Sequence, residues 1–358
     1  MFWLVFLSFF LTVGLILILR PMARLIGLID QPTQRKNHEV PTILVGGVAI
    51  VLVMLSHLPT LPYLGLGPLP ANICYLAAAL ALVVMTGFMD DLWQLSFKVI
   101  FPLQLCAALV VTLIGGVTID SLGDLFGFGK VSVASFQLLF TVVCFVGVIN
   151  AFNMIDGVDG LAGSISLTAV IWFAVLAILS ERLRLYTILL VLAGALAGFL
   201  LFNLRSPWLK RAQIFMGNAG SMSLGFLMAW FAITLVKNPN VHIYPITMVY
   251  VVGLPLIDMA RVMLSRVAHG HSPFIGDRRH IHHLLLDAGC SVSQTVLLKT
   301  LASAVLGGIG VFGWHYGLPE WLLFYGFIVI LSLYFYLTEF RWPDVYRYIR
   351  ILTSARRV

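Results

Sequence analysis

Residues 71–91 read ANICYLAAALALVVMTGFMDD. No charge occurs from Ala71 to Met89, and then two carboxylates, Asp90 and Asp91, stand side by side. A helix needs about 20 mostly apolar residues to cross the hydrocarbon core of a bilayer. Working outward from this stretch, the polar breaks divide the chain into about eleven such segments. They fall at 2–20, 43–59, 71–89, 99–117, 133–150, 161–180, 185–203, 219–236, 244–263, 295–313 and 320–338. Of the 358 residues, 60% are apolar and 10% charged, whereas a soluble domain carries about 25% charged residues. Lipid must therefore solvate much of the surface. In lipid the backbone polar groups have to be satisfied within the segment, which a helix does. The expectation is an all-α, polytopic membrane bundle, one unit over 1–358 without a separate soluble domain.

The first span lacks a basic start and runs into Arg20 and Pro21 instead of a small-residue cleavage site, so it is expected to be retained. Cys74, Cys106, Cys144 and Cys290 have no framework spacing and suggest neither a redox nor a zinc role. With the N-terminus outside, only Lys130, Arg182, Arg184 and Lys237 face outward, and the other 18 of the 22 Lys and Arg residues face inward. That bias places the C-terminus in the cytoplasm. The net charge of +7 follows from the same bias and implies no nucleic-acid partner. The basic tail WPDVYRYIRILTSARRV could rest on anionic lipid headgroups.

This topology puts four polar clusters on the cytoplasmic face. Asp90-Asp91 follows the third span and Lys98 opens the fourth. An adjacent carboxylate pair could cap a span, hold magnesium on a diphosphate, or accept a proton. Lys98 could snorkel to the headgroups or contact phosphate. Asn150, Asn153, Asp156 and Asp159 recur at steps of three between spans five and six. Each step lags the helix period by about 60°, so the four converge only if the helix breaks, and Gly157 and Gly160 offer the break. One helix cap needs one such residue; four favour cation or phosphate chemistry.

The third cluster, Phe215-Met-Gly-Asn218-Ala-Gly-Ser221, precedes span eight. Asn218 could be an N-cap, or the glycines could let a phosphate reach backbone N–H groups. The fourth, Ser272 to His283, reads as a short surface helix. Asp277 would be its cap and Gly289 its end, with Arg278, Arg279 and His280 in the first turn, then His282 and His283. Three histidines beside two arginines favour anion binding, with zinc as the runner-up. The outer loops are short and carry no comparable cluster. A site opening to one side argues for an enzyme over a transporter or flippase of an anionic or lipid-linked solute, which would line a path through the bilayer.

In this order the clusters resemble one family, the polyprenyl-phosphate N-acetylhexosamine-1-phosphate transferases. The resemblance spans nearly the whole chain. It rests on Arg35–His38 with Gly46-Gly47, Asp90-Asp91 with Lys98, Asn150–Gly163, Phe215–Ser221, Pro255–Asp258 and Ser272–Leu284. The form His280-Ile-His282-His283 is similar to the bacterial branch that uses N-acetylglucosamine and undecaprenyl phosphate; the peptidoglycan-precursor branch typically has three successive histidines there. The resemblance implies a multi-pass protein of the bacterial inner membrane that moves an N-acetylhexosamine 1-phosphate from its UDP-sugar to undecaprenyl phosphate. UMP leaves, and the product starts a lipid-linked cell-surface glycan. It implies Mg2+, with Mn2+ as a substitute. Asn153, Asp156 and position 218 would border the metal and diphosphate. Asp159 would orient that loop or the nucleotide, and Asp90 and Asp91 would lie near the acceptor. These four carboxylates, Asp90, Asp91, Asp156 and Asp159, form the expected catalytic set. Lys98, Asn150, Arg266, His280, His282 and His283 would lie on the substrate side. One position departs from the pattern: the family has aspartate, a magnesium ligand, where this chain has Asn218. The hexosamine and a homodimeric state are left open.

Overall fold

The computed structural model describes residues 1–32, 40–237, 241–272 and 280–354. Arg35 to His38, Asp277, Arg278 and Arg279 lie outside the described residues. Fourteen α-helices occur among the described residues: α1 (Trp3–Leu25), α2 (Gly46–His57), α3 (Ala71–Trp93), α4 (Phe97–Leu109), α5 (Gln137–Ile155), α6 (Leu161–Leu179), α7 (Leu183–Asn203), α8 (Gly217–Val236), α9 (Pro245–Val251), α10 (Gly253–Ala268), α11 (Ile281–Asp287), α12 (Val292–His315), α13 (Glu320–Glu339) and α14 (Trp342–Ser354). Ten segments are long and apolar enough to cross a membrane, and α9 with α10 makes an eleventh if the bent pair is one span. The molecule is thus a polytopic, all-α membrane protein. The exception is a two-residue antiparallel pairing of β1 (Ile29–Asp30) with β2 (Thr42–Ile43).

The ninth span is not the straight helix expected over 244–263. It breaks at Val252 and turns by 79°. Pro255 explains the break: it has no N–H to give, and its ring clashes with the carbonyl four residues back, that of Val251. The sequence carried this signal.

Helix α8 forms the axis. It is buried along nearly its whole length, whereas α1 and α13 turn most of their side chains toward lipid. Phe226, Trp230 and Phe231 of α8 are fully buried, as are Phe145 and Phe152 of α5. Backbones meet where α2 and α3 cross the start of α8. A Cβ on Gly47 would lie 2.1 Å from Gly220 Cα, and one on Gly87 would lie 2.4 Å from the Ala219 nitrogen. Only glycine fits at such a crossing. The N–H groups of Gly46 and Gly47 donate to the carbonyls of Phe215 (3.0 Å) and Met216 (2.9 Å). The close crossing brings the C-terminal turn of α3, with Asp90 and Asp91, to the first turn of α8. Ile43 bridges Ile214 in parallel, which draws Asp30 toward the same end of the bundle.

Candidate active site

The site is built around the start of α8, whose first N–H groups have no partner within the helix. Asn218 is not its N-cap, as one sequence reading had it. The helix opens one residue earlier, at Gly217, whose φ of +73° suits glycine. The cap comes from another helix. Asp91 Oδ1 accepts from the Asn218 N–H (2.8 Å) and Oδ2 from the Ala219 N–H (3.1 Å). These two N–H groups are engaged by Asp91 rather than open to a phosphate.

The side chain of Asn218 is left to bridge two helices. Its Nδ2 donates to Asp90 Oδ2 at 2.8 Å, and its Oδ1 accepts from Asn153 Nδ2 at 2.8 Å. Asn153 Nδ2 also donates to Ser221 Oγ at 2.9 Å. With both amide hydrogens used, the Oδ1 of Asn153 is available for another group. Helix α5 ends at Ile155, and the break that convergence required is there. Asp156 follows in a non-helical conformation, and Gly160 starts α6 with φ of +82°. Asn150, one turn earlier, is not brought to the site: its Nδ2 donates to Gln104 of α4 (2.9 Å) and to the Val146 carbonyl. It ties α5 to α4.

Asp156 and Asp159 have different surroundings. Asp159 Oδ2 accepts from Arg205 Nε (2.7 Å) and from the Ala212 N–H (3.2 Å), a strut between the 156–160 loop and the 204–214 loop. Asn203 reinforces it, accepting from the Gly160 N–H and donating to the Ile214 carbonyl, both at 2.8 Å. The N–H of Asp156 donates to the Asn153 carbonyl (3.3 Å), but its carboxylate has no hydrogen-bond or ion-pair partner among the described residues. Burial, then the charges of Asp91, Asp159 and Asp30, push its carboxyl up to about 7. A carboxylate without a donor, set among other carboxylates, is a place for a cation. Magnesium is typically held by one or two carboxylates, with water and substrate oxygens completing its shell. Asp156 and the Oδ1 of Asn153 fit that role. Asn218 fits less well, because its oxygen already accepts from Asn153.

The histidine segment closes the other side. Helix α11 starts at Ile281, so His280 stands at the cap position with extended backbone instead of in the first turn. Gly289, with φ of +94°, ends the segment as expected. Gly157 packs on His282: a Cβ there would sit 2.5 Å from His282 Nε2. The rings of His280 and His282 stack at 5.4 Å, and His282 lies 4.3 Å from His283, centroid to centroid. Burial, then Lys299 and His283, hold the His282 imidazole well below the usual histidine range. Its buried ring therefore favours the neutral form. Arg266 is buried on α10. Lys98 is exposed at the start of α4 and has no partner among the described residues, free to reach headgroups or a substrate phosphate.

Sequence reasoning assigned no site role to three residues at this end, although Asp258 belongs to one of the motifs. Asp258, Lys299 and Tyr334 are joined in a buried cluster with His280. A lysine and an aspartate inside apolar spans were the available signal, since ionisable residues in spans are functional candidates by default.

A polytopic helical membrane protein with a carboxylate and histidine site at one end is the class defined here. The family profile described as "Glycosyl transferase family 4" matches residues 73–236, the stretch from α3 to α8. Over 340 residues the chain is 32% identical to the undecaprenyl-phosphate alpha-N-acetylglucosaminyl 1-phosphate transferase of Escherichia coli (strain K12), covering 94% of this chain and 91% of that protein. The proteins of the same name from Yersinia pestis and Haemophilus influenzae are 33% and 32% identical, over 93% and 99% of this chain and 90% and 97% of theirs. The chain belongs to this family of membrane transferases.

Proposed function

We infer that this protein transfers N-acetylglucosamine 1-phosphate from UDP-N-acetylglucosamine to undecaprenyl phosphate, on the cytoplasmic face of the bacterial inner membrane. One observation carries the reading: Asp90, Asp91, Asn153 and Asn218 meet at the start of α8, Asp156 lies within electrostatic reach of Asp91, and Gly157 couples this group to the histidine segment, in a chain similar along its length to enzymes of that name. An oxygen of the acceptor phosphate attacks the phosphorus that bears the sugar. A new P–O bond forms, the bond to the bridging oxygen breaks, and UMP leaves. Both reactants are polyanions, so a divalent cation bound at Asp156 and Asn153 would supply charge neutralisation on the diphosphate. Asp91 keeps α3 and α8 in register through its two N–H contacts and has no oxygen free of them, which favours direct displacement over a covalent intermediate on that residue. Asp90 accepts from the Asn218 amide and from the Leu95 N–H, and stands on the acceptor side. Asp159 fixes the loop that carries Asp156. His280 and His283, with Lys98, stand as phosphate contacts.

Detergent-purified protein is expected to form UMP only when UDP-N-acetylglucosamine, undecaprenyl phosphate and Mg2+ or Mn2+ are all present. No UMP with any UDP-amino sugar, or a full rate in excess chelator, would overturn the reading. Sidedness has its own test. In a background without native cysteines, Asp124→Cys should react with an impermeant thiol reagent added to intact cells, and Gln213→Cys should not. Labelling of both from outside would move the site to the other face.

A further inference from the structure

Asp258 is buried on α10, and its carboxylate gathers donors from three other elements. Oδ2 lies 3.1 Å from His280 Nδ1 and 3.3 Å from Lys299 Nζ. Oδ1 accepts from Tyr334 Oη at 2.8 Å and from the Ile281 N–H at 3.3 Å. These donors come from the start of α11, from α12 and from α13. Lys299 has 4% and Asp258 2% of the side chain exposed, so the two charges are withdrawn from water together. A carboxylate paired with an ammonium only accepts hydrogen bonds. The His280 ring must then carry a hydrogen on Nδ1, and the Nε2 edge turns away from Asp258. The His280 ring is held a second time by stacking on His282, which packs on the loop carrying Asp156.

We propose that Asp258 is a positioning residue: through Nδ1 it fixes the tautomer and aim of His280, so that Nε2 is presented to the phosphates of the reaction. Lys299 balances the charge of Asp258, and Tyr334 and the Ile281 N–H hold its other oxygen. The pattern is that of a carboxylate orienting a functional imidazole, where loss of the partner costs the imidazole its geometry before it costs the fold. The catalytic part of the inference rests on the transferase reading above; the tautomer does not.

Two measurements test it. The first needs no activity. In protein labelled with 15N-histidine, solid-state NMR should show a ring protonated at Nδ1 and bare at Nε2. That signal should vanish in His280→Gln and shift in Asp258→Asn. His57 and His269, whose Nδ1 atoms face the Val53 and Ser265 carbonyls, should keep theirs. A His280 ring protonated at Nε2 alone would overturn the proposal whatever the enzyme does. The second is a double-mutant cycle on UMP release. Asp258→Asn should lower kcat roughly 10- to 100-fold, with KM for the UDP-sugar changed less than about threefold. Combined with His280→Ala it should add nothing to the effect of His280→Ala alone. If Asp258→Asn does not fold because Lys299 is left unpaired, the same cycle is run with Asp258→Asn and Lys299→Met together, against Lys299→Met. Additive losses, or an unchanged kcat, would show a purely structural residue. A wild-type protein that forms no UMP would count against the transferase reading, and the NMR result would still decide the tautomer.

Discussion

Asp156→Asn is expected to cut turnover by roughly two to three orders of magnitude while leaving a folded, monodisperse protein. The substitution keeps the shape of the side chain and removes the one carboxylate at the site that has no donor of its own. Nothing among the described residues loses a hydrogen bond, so unfolding temperature should hold or rise as repulsion from Asp91, Asp159 and Asp30 is relieved. Loss of a preorganised charge contact of this kind costs on the order of 10²–10³ in kcat. The same residue sets a pH dependence. Its carboxyl titrates near 7 in the folded chain, against 3.8 as its ordinary value, so between those values the folded state holds the proton more than the unfolded state does. Cation-free protein should therefore lose stability as pH rises from about 4 to 7. A bound cation favours the ionised form, so Mg2+ affinity should climb over the same range and level off above 7, with proton release on binding. Isothermal titration with Mg2+ at pH 6, 7 and 8 reads this directly. A flat affinity, or Asp156→Asn at near-normal turnover, would remove Asp156 from the site.

Asn218→Asp should produce the second large change, and in the opposite direction for the cation. The amide of Asn218 now links Asp90 to Asn153 through a donor on one side and an acceptor on the other. Aspartate keeps the acceptor toward Asn153 and sets an oxygen where the donor was, 2.8 Å from Asp90 Oδ2. Two ionised carboxylates do not remain that close without a proton or a cation between them. Without Mg2+ the variant should unfold at a lower temperature than the parent. With Mg2+ the loss should be recovered, and the half-maximal Mg2+ concentration should fall roughly tenfold, since a hard cation favours charged oxygen ligands. Turnover at sub-saturating Mg2+ should rise, because more of the variant holds the cation. Superimposable Mg2+ titrations of the two proteins, by unfolding temperature and by rate, would show that position 218 does not meet the cation.

The spans were legible in the sequence because hydropathy and length alone decide whether a segment can sit in lipid. The end of α5 ahead of Asp156 was legible too, because Gly157 and Gly160 mark where the helix has to stop, whereas the contact of Asn153 with Asn218 joins residues 65 apart. Other features were hidden for physical reasons. The cap on α8 comes from Asp91, 127 residues away, and no local pattern distinguishes a carboxylate that caps another helix from one that binds a ligand. Asn150 shared the spacing of its neighbours but faces α4, since a step of three carries it off the common face. Lys299 read as one more inward-facing basic residue until its partner on α10 was known. The membrane orientation rests on the charge bias of the loops, and the labelling experiment above addresses it.

The buried charges of the C-terminal third also bear on how the chain enters the membrane. A charged side chain near the centre of a span costs about 2.5–3.5 kcal/mol on insertion. Two stand near the middle of α10, Asp258 and Arg261, and each has an opposite charge in a later helix. Lys299 of α12 lies 3.3 Å from Asp258, and Glu339 of α13 lies 3.2 Å from Arg261. When α10 leaves the ribosome neither partner has been made. Helices α10, α12 and α13 therefore have reason to settle as a group, with α10 held in a protected or shallow position until α13 arrives. A chain stopped after α12 would include Lys299, which pairs with Asp258, but not Glu339, which pairs with Arg261. Truncations at that point should be cleared by membrane quality control far faster than the full chain.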